Sequence, residues 1–297
     1  MNFRKLKIFY ETATELNMTK VGKKLYISQP SISQAIHEIE EEIGVKLFDR
    51  IGKKLSLTHE GTIYLSYVRR ILNIYEEGIK TVSGIVNNEK GKIRIGASTT
   101  IGIYILPDII KGFLSEHQGI EISLSVENTI NIEKMILENE IDFAYIEGKS
   151  CFEEIIKEEI WEDELIFICS PEHNWNKKDV LKRGILKKED IANEKFIMRE
   201  PGSGTREVVE SFLESNNINH NIFMELGNTE AIKRSVEANL GISCLSIRTV
   251  YEKIQSGDLI GFKVKDMEIR RKLSLIYHKD KFLSNNMKSF IEYSNQM

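Results

Sequence analysis

The sequence has few cysteines, no long apolar run and little net charge. Among its 297 residues, only Cys151, Cys169 and Cys244 are cysteines, far apart and odd in number. This excludes a disulfide framework and indicates buried thiols in a reducing cytosol. Because no apolar run reaches the length of a signal peptide or a membrane span, we expect a cytoplasmic protein without a membrane partner. Residues 1–90 contain 14 Lys/Arg and 11 Asp/Glu, which argues against indiscriminate coating of nucleic acid.

Signatures of common enzyme chemistry are also missing. Gly202 and Gly204 begin a dinucleotide-binding pattern, but Glu207 stands where its third glycine belongs. The phosphate-loop Gly-Lys-Ser/Thr and the strand-turn-helix serine elbow are absent. The histidines are scattered, and no close cysteine pair offers metal-ligand spacing. We therefore expect no enzyme activity, no catalytic residue, no metal and no cofactor.

Residues 19–61 predict two helices joined by a tight turn. Thr19 is suited to cap a short helix over 20–25, and residues 26–27 make the turn. Ser28 is suited to cap a second helix in which Pro30 occupies the tolerant first turn.

The second helix has one apolar and one polar face. Ile32, Ile36, Ile39 and Ile43 recur at spacings of four and three, so we expect them to be buried together. The polar side chains on the outside are able to meet base edges in a major groove. The candidate DNA-binding residues of this helix are Gln29, Pro30, Ser31, Ser33, Gln34 and His37. An ordinary amphipathic helix with a solvated polar face explains the same pattern.

A small hairpin with a basic tip follows the second helix. Two short apolar runs, 45–48 and 55–57, flank a tip that contains Arg50, Lys53 and Lys54. Such a tip is suited to bind phosphates, which hold a protein in register while base contacts read sequence. The acidic runs 38–42 and 158–164 are expected to be solvated faces.

These residues resemble the winged helix-turn-helix of LysR-type transcriptional regulators. The resemblance is carried by 28–33, by Leu47-Phe48-Asp49-Arg50, and by Leu57-Thr58 with Gly61. The family usually has a basic residue where this chain has Gln34, which implies a different base preference.

A long helix without proline is predicted from about residue 61 to 87. Its apolar positions form a wide stripe, too long for one small domain to bury. Pairing with a second copy would bury it, as would packing on the carboxyl-terminal part of the same chain. In LysR-type proteins the corresponding helix dimerises, which implies these dimerisation residues: Tyr64, Leu65, Val68, Ile71, Leu72, Tyr75, Ile79 and Val82.

From residue 92 onward, short β-rich runs alternate with helical patterns, which predicts α/β sheets covered by helices. The strands are expected at 93–97, 120–126, 141–146, 165–170, 196–198, 222–226, 242–245 and 273–277. The helices are expected at 101–116, 131–139, 204–216, 229–239, 246–255 and 281–295.

The resemblance to LysR-type regulators extends through this region and implies its architecture. It implies an α/β two-lobed effector-binding domain, periplasmic-binding-protein-like, preceded by an all-α winged helix-turn-helix domain and a long linker helix. The expected boundaries are 1–60, 61–90 and 91–297, with lobe I at about 91–163 and 268–297 and lobe II at about 164–267. Crossing strands near 163–168 and 265–273 would return the carboxyl terminus to the first lobe.

Four turns that lead from strands into helices carry hydroxyls, amides and glycines. Such turns collect ligands in open α/β sheets, and helix amino termini favour anions. The alternative is that Ser98, Asn128, Ser203 and Asn228 only cap helices, and that Arg199 and Arg206 pair with Glu200 or Glu207. The candidate effector-binding residues are Ser98, Thr99, Thr100, Asn128, Thr129, Arg199, Gly202, Ser203, Gly204, Thr205, Asn228 and Thr229.

The combined pattern predicts a LysR-type regulator whose binding to double-stranded promoter DNA responds to a small anionic metabolite. We expect a homodimer or homotetramer, with RNA polymerase as a further candidate partner. The effector-domain turns look closest to the branch that regulates sulfur or carbon assimilation. A solute-binding protein would need an export signal and no reading head, and a transferase or deaminase would need a nucleophile beside a base.

Overall fold

The computed structural model describes residues 2–51, 54–87, 91–150, 152–177, 179–192 and 194–296. Lys53 and Cys151, both named above, lie outside this part of the chain. The contacts divide the chain into two units, residues 1–88 with 138–140 and the remaining residues of 89–297. Among the described helices, none has the length and apolar character needed to cross a membrane.

The first unit contains four helices and a two-stranded hairpin. Its elements are α1 Phe3–Glu15, α2 Met18–Leu25, α3 Gln29–Ile43, β1 Phe48–Ile51, β2 Lys54–Leu57 and α4 His59–Asn87. Asn17, rather than Thr19, caps α2 and accepts from Lys20 N at 3.0 Å. The prediction for Thr19 was wrong because α2 begins at Met18, two residues before the predicted start at residue 20. Ser28 caps α3 as predicted, accepting from Ser31 N at 3.3 Å.

A buried carboxylate joins α3 to the hairpin. Glu40 is 8% exposed and accepts hydrogen bonds from Leu47 N at 2.9 Å and Phe48 N at 3.3 Å. Lys46 Nζ lies 2.6 Å from its second oxygen. The prediction of a solvated acidic face was therefore wrong for Glu40, which fixes the start of the hairpin to the end of the helix.

The helix α4 has two differently exposed sets of apolar residues. Val68 is fully buried in the core of the first unit, and Tyr64, Leu65 and Leu72 pack against that core. The burial of these residues is therefore explained within the unit itself. The other four predicted dimerisation residues are about half exposed: Ile71 45%, Tyr75 52%, Ile79 54% and Val82 64%.

The second unit alternates strands and helices. Its strands are β3 Lys92–Ser98, β4 Glu121–Glu127, β5 Phe143–Glu147, β6 Ile155–Cys169, β7 Ile185–Leu186, β8 Lys195–Arg199, β9 Asn221–Leu226, β10 Ser243–Ser246, β11 Ile260–Val264 and β12 Ile269–His278. Its helices are α5 Thr99–Tyr104, α6 Leu106–Glu116, α7 Thr129–Leu137, α8 Asn174–Lys177, α9 Asp179–Arg183, α10 Lys188–Ile191, α11 Gly204–Ser215, α12 Thr229–Glu237, α13 Ile247–Gln255 and α14 Asn285–Asn295. The α/β alternation predicted from the sequence is confirmed.

Two long antiparallel strands connect the two lobes of this unit. β6 and β12 pair from Leu165↔Ile269 to Ile155↔His278. On one side, β5 pairs with β12 and continues into parallel β3 and β4. On the other side, β10 and β11 pair with β6, while β8 and β9 form a separate parallel pair. α14 returns the chain to the first lobe, where Phe290 packs with Ile93 and Phe113.

The predicted elements differ from the structure in a few places. The predicted helix over 101–116 is two helices, α5 and α6, which meet at Ile105. Pro107 lies in the first turn of α6, where its missing N–H is tolerated and a new helix begins readily. β7 and β11 were not predicted from the sequence, because β7 has only two residues and β11 contains Gly261 and Lys263.

Candidate DNA-binding surface and effector cleft

The helix α3 presents its polar face to solvent. Ile32, Ile36 and Ile39 are between 0% and 4% exposed, as their spacing predicted. Ile43 is 39% exposed, so its predicted burial was wrong, because the last turn of α3 extends past the core. Of the residues of α3 predicted to contact DNA, Ser33 is half-buried. The others are exposed: Gln29, Pro30, Ser31, Gln34 and His37.

Carboxylates accompany the later part of this polar face. Gln34 Nε2 donates to Glu38 Oε1 at 2.9 Å, and His37 Nε2 lies 3.3 Å from Glu41. Carboxylates repel phosphate, so the later turns of α3 are poorly suited to lie against DNA and the first two turns remain the candidate surface. At the start of α3, the hydroxyls of Ser28 and Ser31 form a hydrogen bond with an Oγ–Oγ distance of 2.8 Å.

The hairpin β1–β2 has the geometry of a wing. Its register pairs Phe48 with Leu57 and Ile51 with Lys54. Lys54 is exposed at the start of β2. Arg50 lies in β1 opposite Leu55, and Lys53 lies outside the described residues.

Contacts in the second unit bring together the four turns predicted to bind an effector. Arg199 Nη2 donates to Thr99 Oγ1 at 3.3 Å, and Arg199 Nη1 donates to Thr229 Oγ1 at 3.2 Å. Asn128 Nδ2 donates to Glu200 Oε1 at 3.3 Å. Turns far apart in sequence therefore meet where the two lobes touch.

Glycines allow the lobes to approach each other at these turns. A Cβ atom on Gly204 would lie 2.2 Å from the Glu147 carbonyl oxygen, a backbone atom of the other lobe. Gly202 has a φ of +88° and its carbonyl accepts from Ile130 N at 3.4 Å. Both glycines are needed because a side chain would clash at the first and strain the second.

Of the four residues that could cap helices at these turns, the two asparagines do so through their side chains and the two serines do not. Asn128 Oδ1 accepts from Asn131 N at 3.0 Å, and Asn228 Oδ1 accepts from Glu230 N at 2.7 Å. The two asparagines therefore act as helix caps. Ser98 and Ser203 are buried at the starts of α5 and α11 without a capping hydrogen bond from their side chains. The Ser98 hydroxyl has no hydrogen-bond partner among the described residues.

A buried arginine that the sequence reasoning missed lies between the lobes. Arg271 on β12 contacts Glu147 of one lobe and donates from Nε to Asp163 Oδ2 at 2.8 Å. It also donates to Thr205 Oγ1 at 2.8 Å and to Thr100 Oγ1 at 3.3 Å. Two buried carboxylates share one guanidinium, so this cation is already neutralised. The prediction that the acidic run 158–164 is solvated was wrong for Asp163.

Glu147 occupies donors that an anion would otherwise use. Its carboxylate accepts from Thr205 Oγ1 at 2.8 Å and from Thr100 N, in the first turn of α5, at 3.3 Å. Thr129 Oγ1 donates to its carbonyl at 3.0 Å. The protein thus places its own carboxylate at a helix amino terminus, where anions are favoured.

Arg199 and Arg206, the two arginines of the predicted effector-binding loop, both form ion pairs with carboxylates of the protein. Arg199 is 3% exposed, and its Nε and Nη2 lie 2.8 and 2.9 Å from the two oxygens of Glu200. Burial opposes ionisation of Glu200, but the hydrogen bonds and charge of Arg199 outweigh it and lower the pKa of Glu200. Arg206 pairs with Glu210 and Glu225 rather than with Glu207.

A second link between the lobes involves Tyr104. Its hydroxyl donates to Glu230 and accepts from Lys233 Nζ at 2.9 Å. Lys233 is 6% exposed and also donates to the Thr249 carbonyl at 3.0 Å. No sequence motif marks this link, because it joins residues more than 120 positions apart.

Known proteins match both units. Residues 3–62 match the family model described as bacterial regulatory helix-turn-helix protein, lysR family, and residues 87–297 match the LysR substrate binding domain. The chain is 36% identical over 293 residues to the uncharacterised HTH-type transcriptional regulator YeiE of Escherichia coli, covering 99% of this chain and 97% of YeiE. It is 32% identical to the HTH-type transcriptional activator CmpR of Synechocystis, covering 97% and 92% of the two chains.

Solved structures show the same architecture. The full-length LysR family regulator CbnR in complex with its target DNA has a TM-score of 0.71 and 20% identity, covering 100% of this chain and 99% of CbnR. The regulatory domain of Synechocystis CcmR, in complex with 2-PG, has a TM-score of 0.63 and 26% identity, covering 70% of this chain and 97% of that domain. This chain therefore belongs to the LysR family and is a DNA-binding transcriptional regulator, not an enzyme.

Proposed function

We propose that this regulator binds promoter DNA through the first turns of α3 and the wing, and that a small anionic metabolite in the interlobe cleft changes that binding. The exposed polar side chains of α3 would read base edges, while Arg50, Lys53 and Lys54 would hold phosphates. The reading head acts in the cytoplasm, where promoter DNA is accessible.

The observation that carries the effector half of this proposal is the buried Ser98 hydroxyl. Buried hydroxyls almost always have a hydrogen-bond partner, and an unpaired one at a cleft indicates a ligand. Ser98 precedes α5, next to Thr99, which contacts Arg199 of the other lobe. The CcmR domain was solved with 2-PG and the effector domain of QuiR with shikimate, which supports a small anion for this chain.

The charges of the cleft restrict how that anion binds. Arg271 is shared by Glu147 and Asp163, and Arg199 is held by Glu200. An anion must therefore bind to hydroxyl and backbone N–H donors or displace one of these carboxylates. Displacement of Glu147 would free Thr100 N, Thr205 and Arg271 together, and would change the contacts between the lobes.

The exposed stripe of α4 supports self-association. Ile71, Tyr75, Ile79 and Val82 present contiguous apolar area at helical spacing, which a second copy of α4 would cover. A dimer would carry two copies of α3 to a two-part promoter site, and two dimers would form the tetramer. RNA polymerase is the partner through which such a complex would act on transcription.

Two titrations of the full-length protein test this proposal. Fluorescence anisotropy with DNA sequences selected from a random pool should show saturable binding that scrambled sequences of equal length do not compete away. A thermal-shift screen with sulfate, phosphate, 2-PG and shikimate should show stabilisation by at least one of them. Equal binding to every DNA sequence would reject the first half, and a strictly flat screen of these anions would reject the present assignment of effector class.

Ser98→Ala should weaken effector binding while leaving the fold intact. The change removes an unpaired buried hydroxyl, so the stability of the second unit should stay the same or rise slightly. A lost hydrogen bond to an anion is worth about 1.5–3 kcal/mol, so affinity should fall roughly 10- to 150-fold. Calorimetric titration with the anion found in the screen measures the change.

The control for this substitution is Ser215→Ala. Ser215 is exposed at the end of α11, and its replacement should leave the affinity unchanged. Equal affinities for the Ser98 variant and the wild type would remove Ser98 from the binding site.

A further inference from the structure

Tyr26 in the turn between α2 and α3 has an unusual combination of exposure and backbone conformation. Its side chain is 95% exposed, the highest value among the exposed large hydrophobic residues of the described chain. Its backbone is left-handed, with a φ of +55°. Bulky side chains rarely adopt this region, so the residue is an outlier on both counts.

Other residue types would fit this turn at lower cost. Of the non-glycine residues described with positive φ, four are the favoured types Asn139, Asn217, Asn239 and Asp266. Glycine, asparagine or aspartate at position 26 would relieve the conformational cost of a bulky left-handed residue. Tyr26 recovers none of that cost by packing, because its side chain is nearly as exposed as in an extended chain.

The rest of the turn forces position 26 into this conformation. Ile27 N donates to the Gly22 carbonyl at 3.0 Å, which closes the chain over the end of α2. A Cβ atom on Gly22 would lie 2.8 Å from the Ile27 carbonyl oxygen, so the turn packs against α2 as closely as glycine allows. The backbone of the turn is therefore fixed by its neighbours, and the fold does not require a tyrosine side chain at position 26.

The surroundings of Tyr26 indicate DNA rather than another protein. Ser28 and Gln29, at the start of the recognition helix, are exposed beside it, and so is Lys23 in the last turn of α2. The core of a protein interface needs apolar neighbours, whereas these are polar and cationic. Polar and basic side chains beside a recognition helix are typical of contacts to the sugar-phosphate backbone.

We propose that Tyr26 binds the sugar-phosphate backbone at the edge of the groove that α3 enters, an inference that rests on the DNA-binding surface proposed above. The phenolic hydroxyl donates a hydrogen bond to a phosphate oxygen, and the ring lies against the adjoining deoxyribose. Because the phenol carries no charge, this contact adds affinity for every sequence without releasing counterions. Tyr26 is thus a positioning residue that fixes how deeply α3 enters the groove.

The test uses full-length Tyr26→Phe, Tyr26→Ala and Tyr26→Gly with selected and scrambled DNA over a salt series. Tyr26→Ala and Tyr26→Gly should lose about tenfold in affinity on both DNAs, with the slope of log affinity against log salt unchanged. Tyr26→Phe should lose roughly threefold, which isolates the hydroxyl. Tyr26→Gly should keep or raise the thermal stability, because it relieves the left-handed backbone.

Two control substitutions frame these results. Tyr251→Ala removes another exposed tyrosine, 58% exposed on α13, and should leave DNA affinity unchanged. Lys23→Gln removes an exposed cation and should lower the salt slope by about 0.9 if it contacts a phosphate.

Three outcomes would overturn the proposal. Wild-type affinity in Tyr26→Ala would show that the side chain does not contact DNA. A loss of affinity confined to the selected DNA would show that Tyr26 reads bases rather than the backbone. A loss accompanied by dissociation of the protein in sedimentation velocity would assign Tyr26 to a contact between copies of the chain.

Discussion

Arg271→Met is expected to destabilise the second unit by about 3–5 kcal/mol, since it leaves buried carboxylates without their cation. Glu147 and Asp163 are 2% and 4% exposed, so water cannot replace the lost guanidinium. The same substitution removes the link from β12 to Thr100 and Thr205, and effector binding should be lost with it.

Tryptophan fluorescence during urea unfolding measures this change without interference from the first unit. The two tryptophans, Trp161 and Trp175, both lie in the second unit. Arg270→Met is the control, because Arg270 is the preceding residue of the same strand but its side chain is 60% exposed in its pairs with Glu162 and Glu268. Exposed pairs contribute about 0–1 kcal/mol. Similar losses of unfolding free energy in the two variants would contradict the importance of the buried network. The triple variant Arg271→Met, Glu147→Gln, Asp163→Asn should recover part of the stability lost in Arg271→Met.

Glu40→Ala is expected to cost about 2–4 kcal/mol of first-unit stability and to weaken DNA binding on every sequence. The change leaves the N–H groups of Leu47 and Phe48 buried without an acceptor and frees Lys46. Hydrogen exchange of the segment 44–58 measures the effect locally, because the wing should open before the core of the unit. Glu41→Ala, which removes an exposed carboxylate one residue away, should exchange like the wild type.

The pKa of Glu40 predicts how the wing responds to acid. Burial opposes its ionisation, but the hydrogen bonds from Lys46, Leu47 and Phe48 outweigh burial and lower the pKa below its ordinary value of 4.5. A depressed folded-state pKa contributes stability that is present above pH 4.5 and is lost as the pH falls through the folded value. Protection of segment 44–58 should therefore fall below pH 4.5 in the wild type and be less dependent on pH in Glu40→Ala. The same pH profile in both proteins would contradict this role.

The reading head was predictable from the sequence because its determinants are local. Ser28, Pro30 and the isoleucine spacing of α3 act within one or two helical turns, and the structure places Ile32, Ile36 and Ile39 in the core. The predicted burial of Ile43 was wrong because burial at the end of a helix depends on where the neighbouring elements end. Glu40 was missed because it looks like any other residue of an acidic run until the chain folds back at Leu47.

The meeting of the four turns was predictable from the sequence, and the charges around them were not. Strand-to-helix turns with hydroxyls and glycines marked where the lobes meet, since this follows from the α/β alternation. The charges were not predictable, because Arg271 meets Glu147 and Asp163 across 124 and 108 residues of sequence. The sequence alone could not distinguish a helix cap from a ligand contact at these turns. The hydrogen bonds of the structure separate the capping residues Asn128 and Asn228 from Ser98, whose hydroxyl caps nothing.

The measurement that tests the central claim most directly is selection of binding sites from random DNA by the wild type and by Gln34→Arg. Gln34 is exposed on the polar face of α3, where an arginine would exchange a preference for adenine for a bidentate contact with guanine. We expect the two selected sites to differ at one position of each half-site, toward guanine, and to agree elsewhere. Identical selected sites, or changes spread over the whole site, would contradict base reading by this face of α3.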